Sequence, residues 1–336
     1  MYCYRIMLRH KEIIMGTELT DGNRKIYMVF NPVAGMGRIK NNLADIVEIF
    51  TRAGYETTVR ATGGRGNALS IAREFNRKEY DLFVCCGGDG TLDEVVSGVM
   101  ERNDRTDGEH VRVGYIPAGS TNDFAMSLGI PSDMSEAAKV IVNGRDVMCD
   151  IGGFNKDRHF VYVAAFGLFT DISYTTPQDQ KNMFGHSAYI MRVLPALLKM
   201  NQMHPYHIRV TSDDRFFEDD YAVGMVTNSR SVGGFEGITG KHVDLQDGLF
   251  EVTMIKMPTN PIETNQILQS LLQSDLGHCS LITHFKTSKL VVESEKELSW
   301  TCDGEYGGAH EKAVLKALRQ ELCIRVPFDK NEKLQG

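Results

Sequence analysis

The segment of this sequence best suited to chemistry is a glycine-rich turn that carries one carboxylate, Gly87-Gly88-Asp89-Gly90-Thr91. It lies between an apolar run at 80–84 and a segment at 92–100 whose apolar residues recur at helical spacing. Glycines let a backbone approach a ligand closely, and the free N–H groups of a helix start favour phosphate. Asp89 would repel phosphate unless a cation stood between them. The segment therefore predicts a nucleotide-phosphate loop that works with a metal ion. A tight turn with a capping aspartate is the alternative.

Three more strand–helix units accompany this loop. Their predicted strands lie at 25–30, 57–61 and 111–116, and each strand leads into a polar loop that contains glycine. The loop Asn31–Arg38 lacks the third glycine of a dinucleotide fingerprint because Lys40 takes that position, so phosphate binding and a plain turn are equal alternatives. A further helix is predicted over Ser135–Val142, with Ser132 or Ser135 as its N-cap. Four successive units predict a doubly wound parallel sheet, whose ligands bind beyond the carboxyl ends of the strands.

The pattern changes after Asp150. Predicted strands then follow one another at 159–164, 206–211, 221–227, 249–255, 285–292 and 298–302. Two predicted helices interrupt them, Ser187–Met200 and Pro261–Ser274, and Asn260 is the predicted cap of the second. A strand pair and a helix are both compatible with 313–326. Strands that follow strand–helix units predict a second, β-rich domain, so the fold class is α/β plus β.

Size and composition exclude several classes of protein. The 336 residues exceed what one hydrophobic core usually spans, so two domains are expected. A net charge of −7 argues against nucleic acid as a main partner. The seven cysteines are scattered without a Cys-x-x-Cys pair, which indicates reduced thiols in a cytoplasmic protein. No apolar run approaches the ~20 residues that a membrane-spanning helix needs.

Four stretches, which follow one another within about 25–328, together resemble the diacylglycerol kinase catalytic family, in particular soluble bacterial lipid kinases related to sphingosine kinases. The stretches are Asn31-Pro32 with Gly35-x-Gly37, Gly87-Gly88-Asp89-Gly90-Thr91-Leu92 with Glu94, Pro117-x-Gly119-Ser120-Thr121-Asn122-Asp123-Phe124-Ala125, and Asp303-Gly304-Glu305. Gly233-Gly234-Phe235 followed by Asp247-Gly248-Leu249 also matches the family, as does Lys181 with Gly185 and Ala188-Tyr189. Each motif is weak by itself, and their ordered combination is specific. The resemblance implies an NAD kinase/diacylglycerol kinase-like nucleotide domain over 25–149, to which 310–328 returns. It also implies a β-sandwich lipid-substrate domain over 150–309.

The family transfers the γ-phosphoryl group of ATP to a lipid hydroxyl with the help of Mg²⁺. By this resemblance Asp303 is the general base that accepts the hydroxyl proton, and a simple Asp-Gly-Glu turn is the alternative. Glu305, Asp89 and Asp123 are implied to complete the catalytic group, although Asp123 also suits a helix N-cap. The implied ATP contacts are Asn31, Arg38, Thr62, Gly87, Gly88, Asp89, Gly90, Thr91, Glu94, Gly119, Ser120, Thr121 and Asn122.

Further acidic residues are implied to bind metal. Asp150 resembles a member of the water and metal network that the family builds in its active site. Asp247, with the carbonyls of Asp244 and Leu249, resembles a second, structural Mg²⁺ site. One carboxylate with carbonyls and waters suits a hard cation, and a turn aspartate is the alternative.

Two positions depart from the family pattern. Ser120 stands where the family more often has threonine, and Asp93 stands where it often has asparagine. Both residues keep hydrogen-bonding capacity, and Asp93 adds a negative charge near the phosphates. Neither departure removes a catalytic group.

The sequence therefore predicts an ATP-dependent lipid kinase at the cytoplasmic face of a membrane, with diacylglycerol as the favoured acceptor. An NAD kinase-like enzyme, which shares Gly-Gly-Asp-Gly-Thr and the two-domain plan, is one alternative. A non-catalytic lipid-binding relative is the other. ATP, Mg²⁺ and a lipid are the expected partners, and an edge strand of the β-rich domain is compatible with a homodimer.

Overall fold

The structure, a computed structural model, describes residues 24–102, 110–156, 158–167, 204–236, 238–240 and 243–328. The predicted helix Ser187–Met200 lies outside these residues. None of the helices within the described ranges is long and apolar enough to cross a membrane.

Four parallel strands form the sheet of the first domain. They are β1 (Arg24–Phe30), β2 (Tyr55–Ala61), β3 (Leu82–Gly87) and β4 (Arg112–Pro117), in the order β4-β3-β1-β2. Every residue of β3 is buried, as expected where helices cover both faces of a parallel sheet. The predicted doubly wound parallel sheet is confirmed.

Five helices are described in this domain, and four of them form two packed pairs. The five are α1 (Ile39–Arg52), α2 (Asn67–Arg73), α3 (Asp89–Met100), α4 (Asp123–Ser127) and α5 (Met134–Asn143). α1 packs on α5, and α2 packs on α3. In the sheet, β2 lies on one side of β1, and β3 and β4 lie on the other side. Because parallel crossovers are right-handed, the pair α1 and α5 covers one face of the sheet and the pair α2 and α3 covers the other. The direction of the strand order reverses between β1 and β3, where a ligand crevice is expected at the carboxyl ends.

The second half of the chain is β-rich, as predicted. Its strands are β5 (Arg145–Phe154), β6 (Arg158–Phe160), β7 (Val163–Gly167), β8 (Tyr206–Ser212), β9 (Phe216–Thr227), β10 (Ser231–Val232), β11 (Phe235–Glu236), β12 (Phe250–Lys256), β13 (Ile282–Thr287), β14 (Lys289–Cys302) and β15 (Glu305–Val326). The helix α6 (Pro261–Leu272) connects β12 toward β13. Almost all pairings in this half are antiparallel, which lets successive strands be joined by short turns.

The strand β15 joins the two domains. It is 22 residues long, and it pairs antiparallel with β14 near its start and with β5 over its second half. Near its end, Cys323 and Ile324 pair in parallel with β4, so one sheet runs through both domains. The segment 313–326, for which the sequence left a strand pair and a helix open, is thus part of a single strand.

Two hydrophobic cores support the two domains. The first fills the space between the parallel sheet and its helices and continues into the β-rich half, where it includes Val223 and Ile267, and the second surrounds Trp300. The Trp300 ring is fully buried, with its centroid 5.3 Å from that of Phe154 and 5.0 Å from that of Phe166. Because Trp300 lies on β14 just before Asp303, this core fixes the strand end that carries Asp303.

Three local predictions need correction. The predicted strand at 159–164 is divided between β6 and β7, because residues 161 and 162 form a bend. The helix α5 is capped by Asp133, whose side chain accepts from the N–H of Glu136 at 2.9 Å, and not by Ser132 or Ser135. The predicted strand at 285–292 is divided between β13 and β14, because the chain turns at Ser288. Aspartate is as good an N-cap as serine, so type alone does not choose between neighbouring candidates.

The predicted cap of α6 is confirmed, and it provides a stability test. The Asn260 side chain accepts from the N–H of Glu263 at 3.0 Å, and Pro261 occupies the first helical position. We expect Asn260→Ala to lower the free energy of unfolding by about 1 kcal/mol because an N–H group loses its acceptor. Asn260→Asp, which keeps an acceptor, is the matched control. Equal urea midpoints for the two variants would contradict this account of the cap.

Candidate functional site

The glycine-rich turn leads directly from β3 into α3. Gly88 is the extended N-cap residue, and Asp89 lies in the first turn of the helix. A Cβ at Gly87 would come within 2.5 Å of the Thr91 Cβ, so the turn closes only with glycine there. The Asn31 side chain donates from Nδ2 to Thr91 Oγ1 at 3.3 Å. The loop after β1 is therefore tied to the start of α3.

The loop after β4 packs against this turn backbone to backbone. A Cβ at Gly119 would lie 2.5 Å from the Gly88 Cα atom. Asn122 adopts the left-handed conformation with φ 57°, and its Oδ1 accepts from the N–H of Gly119 at 3.0 Å. Its Nδ2 donates to the Gly119 carbonyl at 3.1 Å. Glycine is needed at both contact positions because no side chain fits between the two loops.

The loop after β1 completes the crevice. The Arg38 Nη2 atom donates to the Gly119 carbonyl at 3.2 Å. Gly35 has φ 52°, and a Cβ there would come within 2.2 Å of the Ala118 carbonyl oxygen. Three of the four predicted polar loops thus contact one another at the carboxyl ends of β1, β3 and β4.

Gly90 differs from these packed glycines. A Cβ at Gly90 would have no heavy atom within 4 Å, and the residue is exposed. Its lack of a side chain therefore serves neither packing nor turn closure within the described structure. Glycine in the first turn of a helix leaves room for a ligand to approach the free N–H groups.

Two predicted ATP contacts connect the crevice to the loop after β2. Both Glu94 carboxylate oxygens accept from backbone N–H groups at the start of α2, from Gly66 at 2.7 Å and from Ala68 at 3.0 Å. Glu94 therefore caps α2, a role that the sequence did not predict. Thr62 donates its N–H to the Phe30 carbonyl at 2.9 Å and has a partly exposed side chain. Ser120 and Thr121 are also half-buried in the loop after β4.

Asp89 has one carboxylate oxygen engaged and one without a partner. Its Oδ2 accepts from the N–H of Asp123 at 3.2 Å. Its Oδ1 is shielded from solvent and has no hydrogen-bond partner. Burial, followed by the nearby charge of Asp123, raises the pKa of Asp89 to about 7. A bound cation would give Oδ1 a partner and would stabilise the charged carboxylate. Asp89 therefore fits a Mg²⁺ site.

Asp123 fixes the second domain to the crevice. Its buried carboxylate accepts from the Ser231 hydroxyl at 2.6 Å, from the N–H of Gly233 at 2.7 Å and from that of Gly234 at 2.9 Å. These partners lie in the second domain, so the Asp123 side chain does not act as a helix N-cap, which was the alternative prediction. Because its own N–H binds Asp89, Asp123 joins the phosphate loop to the turn between β10 and β11.

Asp303 lies in the turn between β14 and β15 with φ 51°, a left-handed conformation that is uncommon outside glycine. Its Oδ1 accepts from the N–H groups of Tyr162 at 3.0 Å and Val163 at 2.9 Å, and its Oδ2 accepts from that of Val161. Burial raises the pKa of Asp303 to about 6, and these three N–H groups oppose the rise.

Glu305, in the same turn, forms an ion pair with Arg65 at 2.6 Å. The turn therefore meets the loop after β2.

Asp93 is a functional candidate that the sequence identified only as a departure from the family pattern. Burial, followed by the negative charge of Asp303, raises the pKa of Asp93, and the positive charge of Arg158 opposes the rise. The signal that could have found it is the spacing on α3. Asp89 and Asp93 are four residues apart, so both side chains lie on the face of the helix that borders the crevice.

Two further acidic residues with predicted metal roles, Asp150 of the active-site network and Asp247 of the structural site, have other partners. Asp150 is fully buried and accepts from the N–H groups of Gly248 at 2.6 Å and Gln320 at 2.8 Å. Asp247 accepts from the N–H of Leu249 at 2.9 Å and from Lys286 Nζ at 3.0 Å. In this arrangement an ammonium ion neutralises Asp247, so these contacts do not fit a metal ion there.

Asp244 is the remaining side chain near this predicted site. It accepts from the N–H of Gln246 at 3.0 Å and does not reach toward Asp247 through any described hydrogen bond. Within the described ranges, no group of three or more histidine, cysteine or acidic residues is arranged to hold a metal ion. The ligand set Asp247, Asp244 and Leu249 stays a prediction from the resemblance.

The two domains match two family models. Residues 25–154 match the diacylglycerol kinase catalytic domain, and residues 173–322 match the YegS C-terminal NAD kinase beta sandwich-like domain. A crystal structure of a diacylglycerol kinase from Bacillus anthracis str. Sterne superposes with a TM-score of 0.69 at 22% identity, covering 91% of this chain and 97% of that one. A second structure from the same organism gives a TM-score of 0.76 at 23% identity, covering 93% and 98%. At this identity the superpositions show the fold.

Curated sequences show a closer relationship. The diacylglycerol kinase of Bacillus subtilis (strain 168) is 32% identical over 93% of this chain and 99% of its own length. The diacylglycerol kinase of Staphylococcus epidermidis (strain RP62A) is 32% identical over 93% of this chain and 95% of its own. Fold and crevice define a two-domain lipid kinase that uses ATP. The chain belongs to the diacylglycerol kinase family.

The contrast between packed and open glycines gives a prediction for nucleotide binding. We expect Gly90→Ala to fold normally, because its Cβ meets no atom, yet to weaken ATP binding by about tenfold or more because the methyl group intrudes on the ligand. Gly119→Ala should instead lower the thermal unfolding midpoint, because its Cβ collides with the Gly88 backbone. Gly277→Ala, in the open 3₁₀ turn Leu276–His278, is the control. Unchanged ATP affinity in Gly90→Ala would argue against phosphate binding at this helix start.

Proposed function

We propose that the protein transfers the γ-phosphoryl group of ATP to the free hydroxyl of diacylglycerol, giving phosphatidic acid and ADP. The observation that carries the proposal is the meeting of Asp303, from the β-rich domain, with the acidic face of α3. The helix α3 packs against β6 and β15, and the charge of Asp303 acts on both Asp89 and Asp93. The acceptor is proposed from the names of the relatives, which are diacylglycerol kinases.

The phosphates of ATP would bind along the crevice between the Gly88–Thr91 turn and the Gly119–Asn122 loop. The start of α3 offers N–H groups and the positive end of a helix dipole, and Gly90 leaves room for close approach. Arg38, which is exposed and anchored on the Gly119 carbonyl, provides a positive charge beside the same loops. These features support the proposed set of ATP contacts.

Mg²⁺ would be held by Asp89, whose shielded Oδ1 has no partner among the described residues. When bound, the ion supplies positive charge that offsets the charge of the phosphates. The Asp123 carboxylate is already used by the turn between β10 and β11, so its contribution is to hold Asp89 through its backbone N–H. Mg²⁺ and its binding to Asp89 are parts of the proposal.

Asp303 would act as the general base. Its carboxylate accepts the proton of the lipid hydroxyl while the hydroxyl oxygen forms a bond to the γ-phosphorus. The bond from that phosphorus to the β,γ-bridging oxygen breaks, and ADP leaves with the electron pair. Three backbone N–H groups hold the carboxylate in a fixed direction, which is the pre-organisation that a base needs. Glu305, tied to Arg65, would support the turn rather than take the proton.

The proposed acceptor is a membrane lipid, so the reaction would take place where ATP meets the membrane, at its cytoplasmic face. Diacylglycerol would reach the crevice from the side of the β-rich domain, where Tyr306 is 51% exposed beside the Asp303 turn. A homodimer could form along β13, which ends the described sheet on that side and has one edge unpaired there.

The proposal is tested by phosphoryl transfer from γ-labelled ATP to a panel of lipids in mixed micelles. We expect label in diacylglycerol above monoacylglycerol, sphingosine and phosphatidylglycerol. Parallel reactions contain NAD, because formation of NADP would support the NAD kinase-like alternative. If folded protein labelled no lipid in the panel, the proposal would be rejected.

Substitution of the proposed base gives a sharper test. We expect Asp303→Asn to lower kcat by about 10²–10⁴-fold, because an amide cannot accept the proton. ATP affinity, measured by titration calorimetry, should remain within about twofold, since the phosphates bind at the start of α3. Asp45→Asn, an exposed aspartate on α1, is the matched control. Normal turnover in Asp303→Asn would remove Asp303 from the base role.

The pH profile gives an independent check on Asp303. Only the ionised carboxylate can accept a proton, so activity is present above its pKa of about 6 and is lost as the pH falls through that value. We expect the acid limb of kcat for the wild-type enzyme at saturating ATP to have a midpoint near pH 6. The residual activity of Asp303→Asn should lack this limb. An acid limb that persists in the variant would assign the titration to another group.

A further inference from the structure

The strand β12 carries a buried carboxylate that the proposed reaction does not use. Glu251 is the second residue of this strand, and its side chain is 2% exposed. Both of its carboxylate oxygens are shielded from solvent, and neither forms an aligned hydrogen bond with a described group. A charged group so far from water needs an opposite charge close to it.

Lys286 provides that charge, and it does so for two carboxylates at once. It lies directly opposite Glu251 in the antiparallel pairing of β12 and β13. Its Nζ atom is 3.0 Å from Glu251 Oε1 and 3.0 Å from Asp247 Oδ2. An ammonium group is a compact charge with three N–H donors, so one lysine can bridge two carboxylates.

The turn that contains Asp247 is held on its other side by β5. The N–H of Gly248 donates to Asp150 Oδ2 at 2.6 Å, and the N–H of Asp150 donates to the Leu245 carbonyl at 2.8 Å. Lys286 lies on β13, which ends the described sheet. The ammonium therefore fastens this turn, and the start of β12, to the last described strand.

This ammonium occupies the place that the resemblance assigns to a structural Mg²⁺. Asp247 Oδ1 accepts from the N–H of Leu249 at 2.9 Å, and Asp247 Oδ2 contacts Lys286. Mg²⁺ binds carboxylate oxygens at about 2.0–2.1 Å. An ion on Oδ2 would thus lie beside the ammonium on the same oxygen, and two cations so close repel each other where water is partly excluded. Metal and ammonium are therefore alternatives at Asp247.

We propose that Lys286 is a built-in counter-ion that takes the place of the structural Mg²⁺ in this chain. Its ammonium neutralises charge on Asp247 and Glu251 and holds the turn against β13. The β-rich domain then reaches its full stability without a divalent cation, and under the proposed function Mg²⁺ is needed only together with the nucleotide. The inference itself does not depend on the acceptor lipid or on the base.

Thermal unfolding of the full-length chain in EDTA or in millimolar MgCl₂ tests the proposal. All proteins carry Asp89→Asn, which removes the proposed Mg²⁺ contact in the crevice. Burial raises the pKa of Glu251 to about 7 and Lys286 opposes the rise, so pH 8 keeps both carboxylates charged. We expect the unfolding midpoint of this reference protein to be the same in EDTA and in MgCl₂, because the site already contains its cation.

Lys286→Met keeps most of the apolar stem and removes the charge. We expect its midpoint in EDTA to fall by about 3 °C or more, because two carboxylates lose their counter-ion. MgCl₂ should restore at least half of the loss, since Asp247 can then bind the ion, and NaCl at equal ionic strength should not. Addition of Glu251→Gln should also restore stability in EDTA, because a neutral amide needs no counter-ion. Lys316→Met, at an exposed lysine on β15, is the matched control.

Three results would overturn the inference. A midpoint of the reference protein that rises by about 3 °C or more in MgCl₂ would show that a metal ion stabilises the fold although Lys286 is present. An unchanged midpoint of Lys286→Met in EDTA would show that the ammonium is not needed. A loss that MgCl₂ restores no better than NaCl would show that the two cations are not alternatives. Failure of the lipid-kinase proposal would leave these results unaffected, because they measure stability and not turnover.

Discussion

The arrangement of this enzyme depends on one buried carboxylate, that of Asp123. Through its backbone N–H it holds Asp89 in the phosphate loop, and through its side chain it accepts three hydrogen bonds from the β10–β11 turn. The buried Ser231 hydroxyl would lose its acceptor if the carboxylate were absent, at a cost of about 1–3 kcal/mol, and the half-buried N–H groups of Gly233 and Gly234 would lose theirs. The two domains are therefore held in one geometry at the place where their functional groups must meet.

A second feature of the site is its excess of negative charge. Asp89, Asp93 and Asp303 line one poorly solvated crevice, and Arg158 is the cation that acts on Asp93. Their raised pKa values follow from burial and mutual repulsion, which are the conditions under which enzymes bring carboxyl groups into the working pH range. Under the proposed function, a nucleotide that arrives with a divalent cation relieves this repulsion and stabilises the folded protein.

The sequence predicted much of the fold, because its signals are local. Alternating and helical patterns indicated the four strand–helix units, and Asn260 with Pro261 indicated the start of α6. The site was predictable only as far as motifs extend. The influence of Asp303 on Asp93 depends on how the two domains meet, and the contact of Lys286 with Asp247 depends on how β13 pairs with β12. Neither domain packing nor strand register is visible in the spacing of residues along a chain.

The path of β15 has a consequence for synthesis of the protein. β4 has β15 as its neighbour on the side away from β3, so the parallel sheet of the first domain is incomplete until residues near 323 have left the ribosome. Until then, the nascent nucleotide domain exposes an open strand edge, which is where misassembly with other chains begins. The same strand follows the Asp303 turn. Completion of the sheet and delivery of the base are thus one late event, and a chain released early has neither.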